Sequence, residues 1–261
     1  MASSPKAVAL ESRLRSCRNV LTLGVKPNFA DYDAGAVRRI RDAEVIYYPS
    51  SLYADLFDAM GKRTFPRCSA YRFAQDKIKQ SALFQLLEIP HPRTRVFYGR
   101  RQQAAIAEHF SFPFVAKIPR GSAMGRGVFR IADTDALRRY CALTPVAYIQ
   151  EYLPSDRDVR VVVIGGRAVL AYWRIAPEGE FRANVSAGGR IRFDPVPDPA
   201  VALALTVAER CGWDDVGIDL LPFRDRWYVL EGNMKYGKEG FRQAGIDYTR
   251  MMEQMIEEGL M

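Results

Sequence analysis

Two apolar runs near the end of the chain, "VGIDLLPF" (216–223) and "WYVLEGN" (227–233), are separated only by "RDR". Strand-forming runs joined by so short a polar break read as an antiparallel hairpin. The second run begins Trp-Tyr-Val-Leu and then sets a carboxylate at Glu231 and a carboxamide at Asn233. Asp and Asn are disfavoured in strands, and a buried carboxylate is costly unless paired. With the turn at 224–226 and Phe223 opposite Trp227, Leu221 faces Val229 and Asp219 faces Glu231. Asn233 then falls opposite Gly217, and side-chain alternation puts Asp219, Glu231 and Asn233 on one face. Two like charges directly opposite destabilise a sheet unless one is protonated or a cation sits between them. Three oxygen-bearing side chains suit a hard ion, Mg²⁺ or Mn²⁺. The same residues also suit a strand end whose charges reach water. Whatever the fold, it has to bring this strand end to a polar site.

The 261 residues suffice for one large domain or two to three subdomains. Strands and helices interleave, with hairpins among them, which predicts α+β subdomains rather than one doubly wound sheet. Residues 1–75 read as a short α/β unit. In it, "NVLTLGV" and "AEVIYYP" are strands, "AGAVRRIRD" is a helix, and the lead-in "MASSPKAVALESRLRSCRN" is frayed or loosely helical. Residues 76–149 open on a helix capped by Asp76, with an apolar stripe at Ile78, Leu83, Leu86 and Leu87. Residues 150–261 carry the "DVRVVVI-GG-RAVLAYWRI" hairpin, a helix with Asp198 as cap and Gly212 as stop, and the carboxylate hairpin.

No apolar run approaches the ~18 to 20 residues that span a bilayer, and the N-terminus lacks the apolar core of a signal peptide. Four scattered cysteines without C-x-x-C spacing fit reduced thiols and a cytoplasmic location. Two histidines, His91 and His109, are too few and badly spaced for a zinc site. The net charge of +8 points to anionic partners or to an arginine-rich solvated surface. A nucleic-acid module is disfavoured, because the chain shows neither an RNP-like motif nor a basic cluster.

"FVAKIPRGSAMGRGVFRI" reads strand, glycine loop, strand. It lacks the Gly-Lys-Ser/Thr and the following helix of a Walker loop. Backbone N–H groups near Gly121, Gly125 and Gly127 can approach phosphate oxygens, with Lys117 on the preceding strand and Lys77 at a helix start as cationic partners. An ordinary hairpin turn has the same pattern. "QEYLPSDRDVR" supplies Glu151, Asp158 and Arg160, and Arg174, Arg182 and Asn184 follow. Asp158 suits ribose hydroxyls, Glu151 with adjacent backbone an adenine edge, and the arginines a bidentate grip on carboxylate or phosphoryl oxygens.

In that order, these motifs resemble the ATP-grasp carboxylate–amine ligases, and among them the RimK type that adds glutamate to a ribosomal protein. The resemblance runs from about residue 76 to the C-terminus. It implies the ATP-grasp fold, two α+β subdomains gripping ATP, after a short α/β N-terminal domain. It implies that Lys77 and Lys117 hold ATP phosphates under a mobile lid, Gly121 to Gly127, and that Gln150, Glu151, Tyr152 and Leu153 form the adenine hinge. It assigns Asp158 to the ribose, and Arg182 and Asn184 to the phosphates and metal. Arg160 and Arg174 fall near an acyl phosphate, and Asp219, Glu231 and Asn233 ligate two Mg²⁺ (or Mn²⁺) ions, with Glu231 bridging. The implied partners are ATP, a carboxylate substrate and an amine acceptor such as an amino acid. The carboxylate would belong to a peptide, a protein or a small molecule, and a homo-oligomer is compatible with the family. A phosphotransferase on the same scaffold is the alternative chemistry.

Two departures stand out. The family usually ends its metal strand with Glu-Val-Asn, two residues and Pro-Gly. Here Gly232 replaces the valine, and "MKYG" (234–237) lacks the proline. Lys235 and Tyr236 are therefore expected to alter the acceptor pocket.

Overall fold

The computed structural model describes residues 7–121, 127–185 and 188–261. Three sheets build it. The first is parallel, in the order β2-β1-β3-β4: β1 Ala7–Ala9, β2 Leu21–Thr22, β3 Val45–Tyr47 and β4 Arg63–Phe65. The lead-in is therefore not loose beyond residue 6. Val8, Ala9 and Leu10 are at most 1% exposed, in a strand inside the sheet. Four apolar residues hemmed by Ser, Pro and Glu are too few to register as a period. "NVLTLGV" pairs over only two residues.

The second sheet is antiparallel, in the order β5-β8-β6-β7: β5 Thr94–Tyr98, β6 Phe114–Lys117, β7 Val128–Ile131 and β8 Val146–Glu151. Helix Thr134–Leu143, capped by Asp133 through Ala136 N–H (2.7 Å), buries Leu137 and Tyr140 against it.

The third sheet runs β11-β10-β9-β12-β13: β9 Arg157–Ile164, β10 Arg167–Ile175, β11 Arg190–Arg192, β12 Asp215–Phe223 and β13 Arg226–Asn233. The β9–β10 turn is Gly165-Gly166, both at positive φ, as a two-residue hairpin of this hand requires. Alternation then sorts β9. Val159, Val161 and Val163 pack against helix Asp198–Cys211 on one face. Val162 and Ile164 on the other face pack against the C-terminal helix Tyr248–Glu257 and the first sheet. Asp158 and Arg160 continue that second face into a polar end. Helix Asp198–Cys211 takes Pro197, not Asp198, as its N-cap, and ends at Gly212 in the left-handed conformation.

Helix Lys77–Leu86, capped by Asp76 through Lys79 N–H (3.1 Å), packs its apolar side on the third sheet. Its buried residues are Gln80 and Phe84, flanked by Leu83 and Leu87, whereas Leu86 is 81% exposed. The expected stripe is rotated because a polar residue, Gln80, sits at its centre. All four cysteines are unpaired. Among the described residues no helix is long and apolar enough to cross a membrane.

Candidate active site

The polar end of the third sheet faces the second sheet across one cavity. Lys77, Lys117, Gln150, Asp219, Glu231 and Asn233 all line it, from five separate elements. The register explains how. Asp219 does face Glu231, and Gly217 faces Asn233, although the turn is one residue tighter than 224–226. Phe223 pairs with Arg226 and Leu221 with Tyr228, and a bulge beside Leu220 takes up the extra residue before Asp219. The tighter turn and the bulge cancel, so the carboxylates still meet.

The acid pair, expected to need a proton or a cation between its members, is tied into a ladder of opposite charges. Arg174 grips Asp158 with Nε to Oδ1 at 2.6 Å and Nη2 to Oδ2 at 2.7 Å. Arg160 grips Asp219 through Nε and Nη2, both at 2.7 Å, and Arg174 Nη2 also reaches Asp219 Oδ2 at 2.9 Å. Lys77 Nζ lies 3.7 Å from Glu231 Oε2. Burial works against the charge on Asp219, but the two guanidiniums outweigh it and hold its carboxyl below the usual range.

Asn233 Nδ2 donates to Asp219 Oδ2 (3.1 Å) and less closely to Glu231 Oε1 (3.3 Å). Amide orientation is assigned from such contacts, so the same side chain turned over presents Oδ1 to the same place. Two carboxylates and an amide oxygen converging at a strand end are a donor set that fits Mg²⁺ or Mn²⁺. Lys117 is 7% exposed, and burial pushes its ammonium down to about 8, eased by Glu231 and reinforced by Lys77.

Beside the charges lies an apolar slot formed by Val115, Val128, Phe181, Leu221 and Leu230, with Tyr152 and Leu153 from the hinge. Tyr152 meets Phe181 edge-on at 6.3 Å between centroids. Arg182, Asn184 and Arg174 also line the cavity. Arg182 is bonded to Glu180 at 2.6 Å.

Several expected roles meet other geometry. Asp158 lines the cavity with both oxygens engaged by Arg174, which leaves each oxygen a further lone pair. Glu151 lines the cavity, and its Oε1 accepts from Arg93 N–H at 2.6 Å. Gln150 Nε2 is taken by Thr94 Oγ1 (3.0 Å). Arg160 is paired with Asp219 and is not among the residues that line the cavity. Gly121 and Gly127 both have positive φ at the stems of the lid, while Gly125 lies outside the described residues. Tyr236 is 4% exposed and donates to Asp215, away from the cavity, whereas Lys235 does line its mouth and lies 3.8 Å from Glu11.

The sequence reading missed Gln80. Its amide clamps the backbone of Gly232, Nε2 to O at 2.8 Å and N–H to Oε1 at 2.9 Å, so the helix that starts at Lys77 also fixes the strand carrying Glu231 and Asn233. The available signal was a glutamine one turn before Leu83 and Phe84, on the helix face that Lys77 starts.

The model of the RimK-like ATP-grasp domain matches residues 74–256. A probable alpha-L-glutamate ligase of Enterobacter sp. (strain 638) is 29% identical over 209 residues, 77% of this chain and 69% of that protein. Beta-citrylglutamate synthase B of Danio rerio is 33% identical over 179 residues, 64% of this chain and 44% of that protein. Among solved structures, the ATP-grasp ligase PsnB complexed with a minimal precursor superposes with a TM-score of 0.72 at 16% identity, covering 98% of this chain and 99% of that one. A RimK domain ATP-grasp protein from Sphaerobacter thermophilus DSM 20745 gives 0.68 at 19% identity, with 96% and 98% covered. The chain belongs to the RimK-like ATP-grasp family, whose members are ATP-dependent ligases that form C–N bonds.

Proposed function

We propose that this protein is an ATP- and Mg²⁺-dependent carboxylate–amine ligase that works through an acyl phosphate. The observation that carries the reading is the cavity itself. An apolar slot sized by Phe181, Leu221 and Leu230 leads to two lysines, and these face a strand end bearing Asp219, Glu231 and Asn233. A nucleotide base in the slot puts its phosphates on Lys77 and Lys117. Divalent cations held by Asp219, Glu231 and Asn233 would neutralise phosphate charge as the γ-phosphoryl group moves.

A substrate carboxylate attacks the γ-phosphate, ADP leaves, and an amine then displaces phosphate from the acyl carbon. The residues contribute positioning and charge balance, as in other phosphoryl transfers. Arg174, held rigid by Asp158 and Asp219, presents its guanidinium edge to the cavity, where charge develops on the acyl phosphate and the tetrahedral oxygen. Lys235 lines the cavity, 3.8 Å from Glu11, and offers its ammonium to an amino acid's carboxylate. An amino acid such as glutamate as acceptor is supported by the names of the relatives, and a peptide carboxylate by the PsnB–precursor likeness.

The test is ADP release over a grid of carboxylate and amine pairs, with wild type and Glu231→Ala. The reading expects release that needs both partners and is lost in the variant. ADP release with a stable phosphorylated product and no need for amine would establish a phosphotransferase instead.

A further inference from the structure

Most of the chain's net positive charge falls in one segment, spread too thinly along it to read as a basic cluster. Of all 38 Lys and Arg, ten fall within residues 93–149, against three of the 30 Asp and Glu, so this segment carries +7 of the net +8. The nucleotide cavity uses Lys117, and Arg120 and Arg138 pair with Asp76 and Asp135 at 3.0 and 2.7 Å. Arg93, Arg95, Arg100 and Arg101 are exposed and, among the described residues, have no carboxylate partner. They lie on and just beyond β5, the edge strand of the second sheet.

The first two are held in place without being neutralised. Arg93 Nη1 donates to the carbonyl of His109 (2.9 Å), and its guanidinium lies 4.1 Å from the Phe110 ring centroid. Arg95 Nη1 meets His109 Nδ1 at 3.2 Å, and its guanidinium lies 5.2 Å from Phe97. Each fork is thus pre-organised with N–H groups to spare.

The backbone of the same strand is also open. Glu151 N–H bonds to Arg93 O and Gly99 N–H to Pro145 O, so odd-numbered residues of β5 face β8. Thr94, Val96 and Tyr98 therefore turn their N–H and C=O outward. Gln102 Oε1 takes the Tyr98 N–H at 2.7 Å, which leaves Thr94 and Val96 open.

We propose that β5 is the docking edge for an acidic peptide segment, which adds to the second sheet as a strand with carboxylates at alternate positions. Residues two apart on a strand lie on one face about 6.8 Å apart. Carboxylates spaced that way on an added strand meet Arg93 and Arg95 side by side. Unpaired edge charge discourages apolar strands, so the same arginines make the edge selective. A nucleic acid is the poorer fit, because Phe97 and Phe110 are each 2% exposed and covered by the guanidiniums, which leaves Tyr98, 51% exposed, as the one ring of β5 open for stacking.

Binding is measured without turnover, so the outcome does not depend on the ligase reading. The probe is a fluorescein-labelled peptide alternating Glu and Val, with full-length protein at low salt. Comparison probes are the Lys-for-Glu peptide, an oligothymidylate of equal charge, and the acidic peptide N-methylated at alternate residues. The variants are Arg95→Glu/Arg101→Glu and, on the exposed helix Ala34–Asp42 of the first unit, Arg38→Glu/Arg39→Glu; unchanged ATP affinity shows that both are folded. The expected result is a Kd raised at least about tenfold by the first variant and by N-methylation, and less than about twofold by the second variant. Failure of wild type to bind the acidic peptide overturns the proposal. So does equal weakening by both variants, oligothymidylate bound as tightly, or indifference to N-methylation.

Discussion

Lys117 is the residue whose chemistry is most altered by where the chain puts it. Burial moves its ammonium from 10.5 to about 8, close to working pH, in a cavity that also holds Lys77. Two effects of opposite sign follow. Between pH 8 and 10.5 the unfolded chain carries a proton on this lysine that the folded chain does not. The nucleotide-free protein is therefore expected to gain stability as pH rises through that window, and to bear the full burial penalty below it. With ATP phosphates on Lys117, as proposed, binding needs the charged form, so affinity is expected to fall as pH rises past about 8, by up to roughly tenfold per unit. Calorimetric titration with ATP from pH 7 to 10 checks this. Near pH 8 the binding enthalpy should vary with the ionisation enthalpy of the buffer, because binding takes up a proton. Lys117→Met should bind ATP weakly with a flat profile, and a wild-type affinity that does not change with pH would overturn the assignment. The lysines, the carboxylates and the amide were all legible in the sequence because each stands out against an apolar strand or a capped helix start. The engagement of Asp158 and Glu151 was not, because the arginine and backbone N–H that occupy them come from elsewhere in the chain.

Among the elements, β13 shows why a sequence can give the right pairing for an incomplete reason. The turn is one residue shorter than the one assumed and a bulge restores the register, two features without a sequence signature that happen to cancel. Gly232, the departure inside Glu-Gly-Asn, has a packing cause. A Cβ there would lie 2.5 Å from Trp213 Cζ3 and 2.9 Å from Cε3, and Trp213 is 1% exposed against Phe73 and Phe84. The tryptophan fills the space a valine would need, and Gln80 holds the glycine backbone from the other element. Gly232→Val is expected to cost about 1 to 3 kcal/mol by overpacking and to displace Glu231 and Asn233. In the Trp213→Leu background the same substitution should cost much less, with partial recovery of ATP binding. Urea unfolding of the four proteins of this cycle measures the coupling, and additive costs would show that the two positions are independent.

Across the whole molecule, the first sheet is locked to the third by a buried polar cluster that the segment after Asn233 completes. Asp215, 0% exposed at the start of β12, accepts from Tyr48 Oη at 2.7 Å and from Tyr236 Oη. Arg13 lies 3.8 Å from the same carboxylate, donates to Tyr248 Oη (2.8 Å), and stacks 4.4 Å from Tyr236 and 5.6 Å from Tyr48. Tyr236 thus serves the join between units and does not line the cavity, whereas Met234 and Lys235 of "MKYG" do. No local pattern could reveal this, since Arg13, Tyr48, Asp215 and Tyr236 come from four distant stretches and each alone reads as an ordinary surface or core residue. The cluster sets a sharp expectation. Arg13→Met strands a buried carboxylate and should cost about 3 to 5 kcal/mol. Removing both charges, Arg13→Met with Asp215→Asn, leaves an amide that the two tyrosine hydroxyls can still satisfy, and should recover most of that loss. If the cluster is what fixes the first unit over the cavity mouth, Arg13→Met should also weaken acceptor use while the double variant restores it, with ATP affinity unchanged in both. Denaturation together with acceptor-dependent ADP release separates the two effects. A double variant as unstable as the single would mean that Arg13 contributes by packing on the tyrosine rings and not by balancing Asp215.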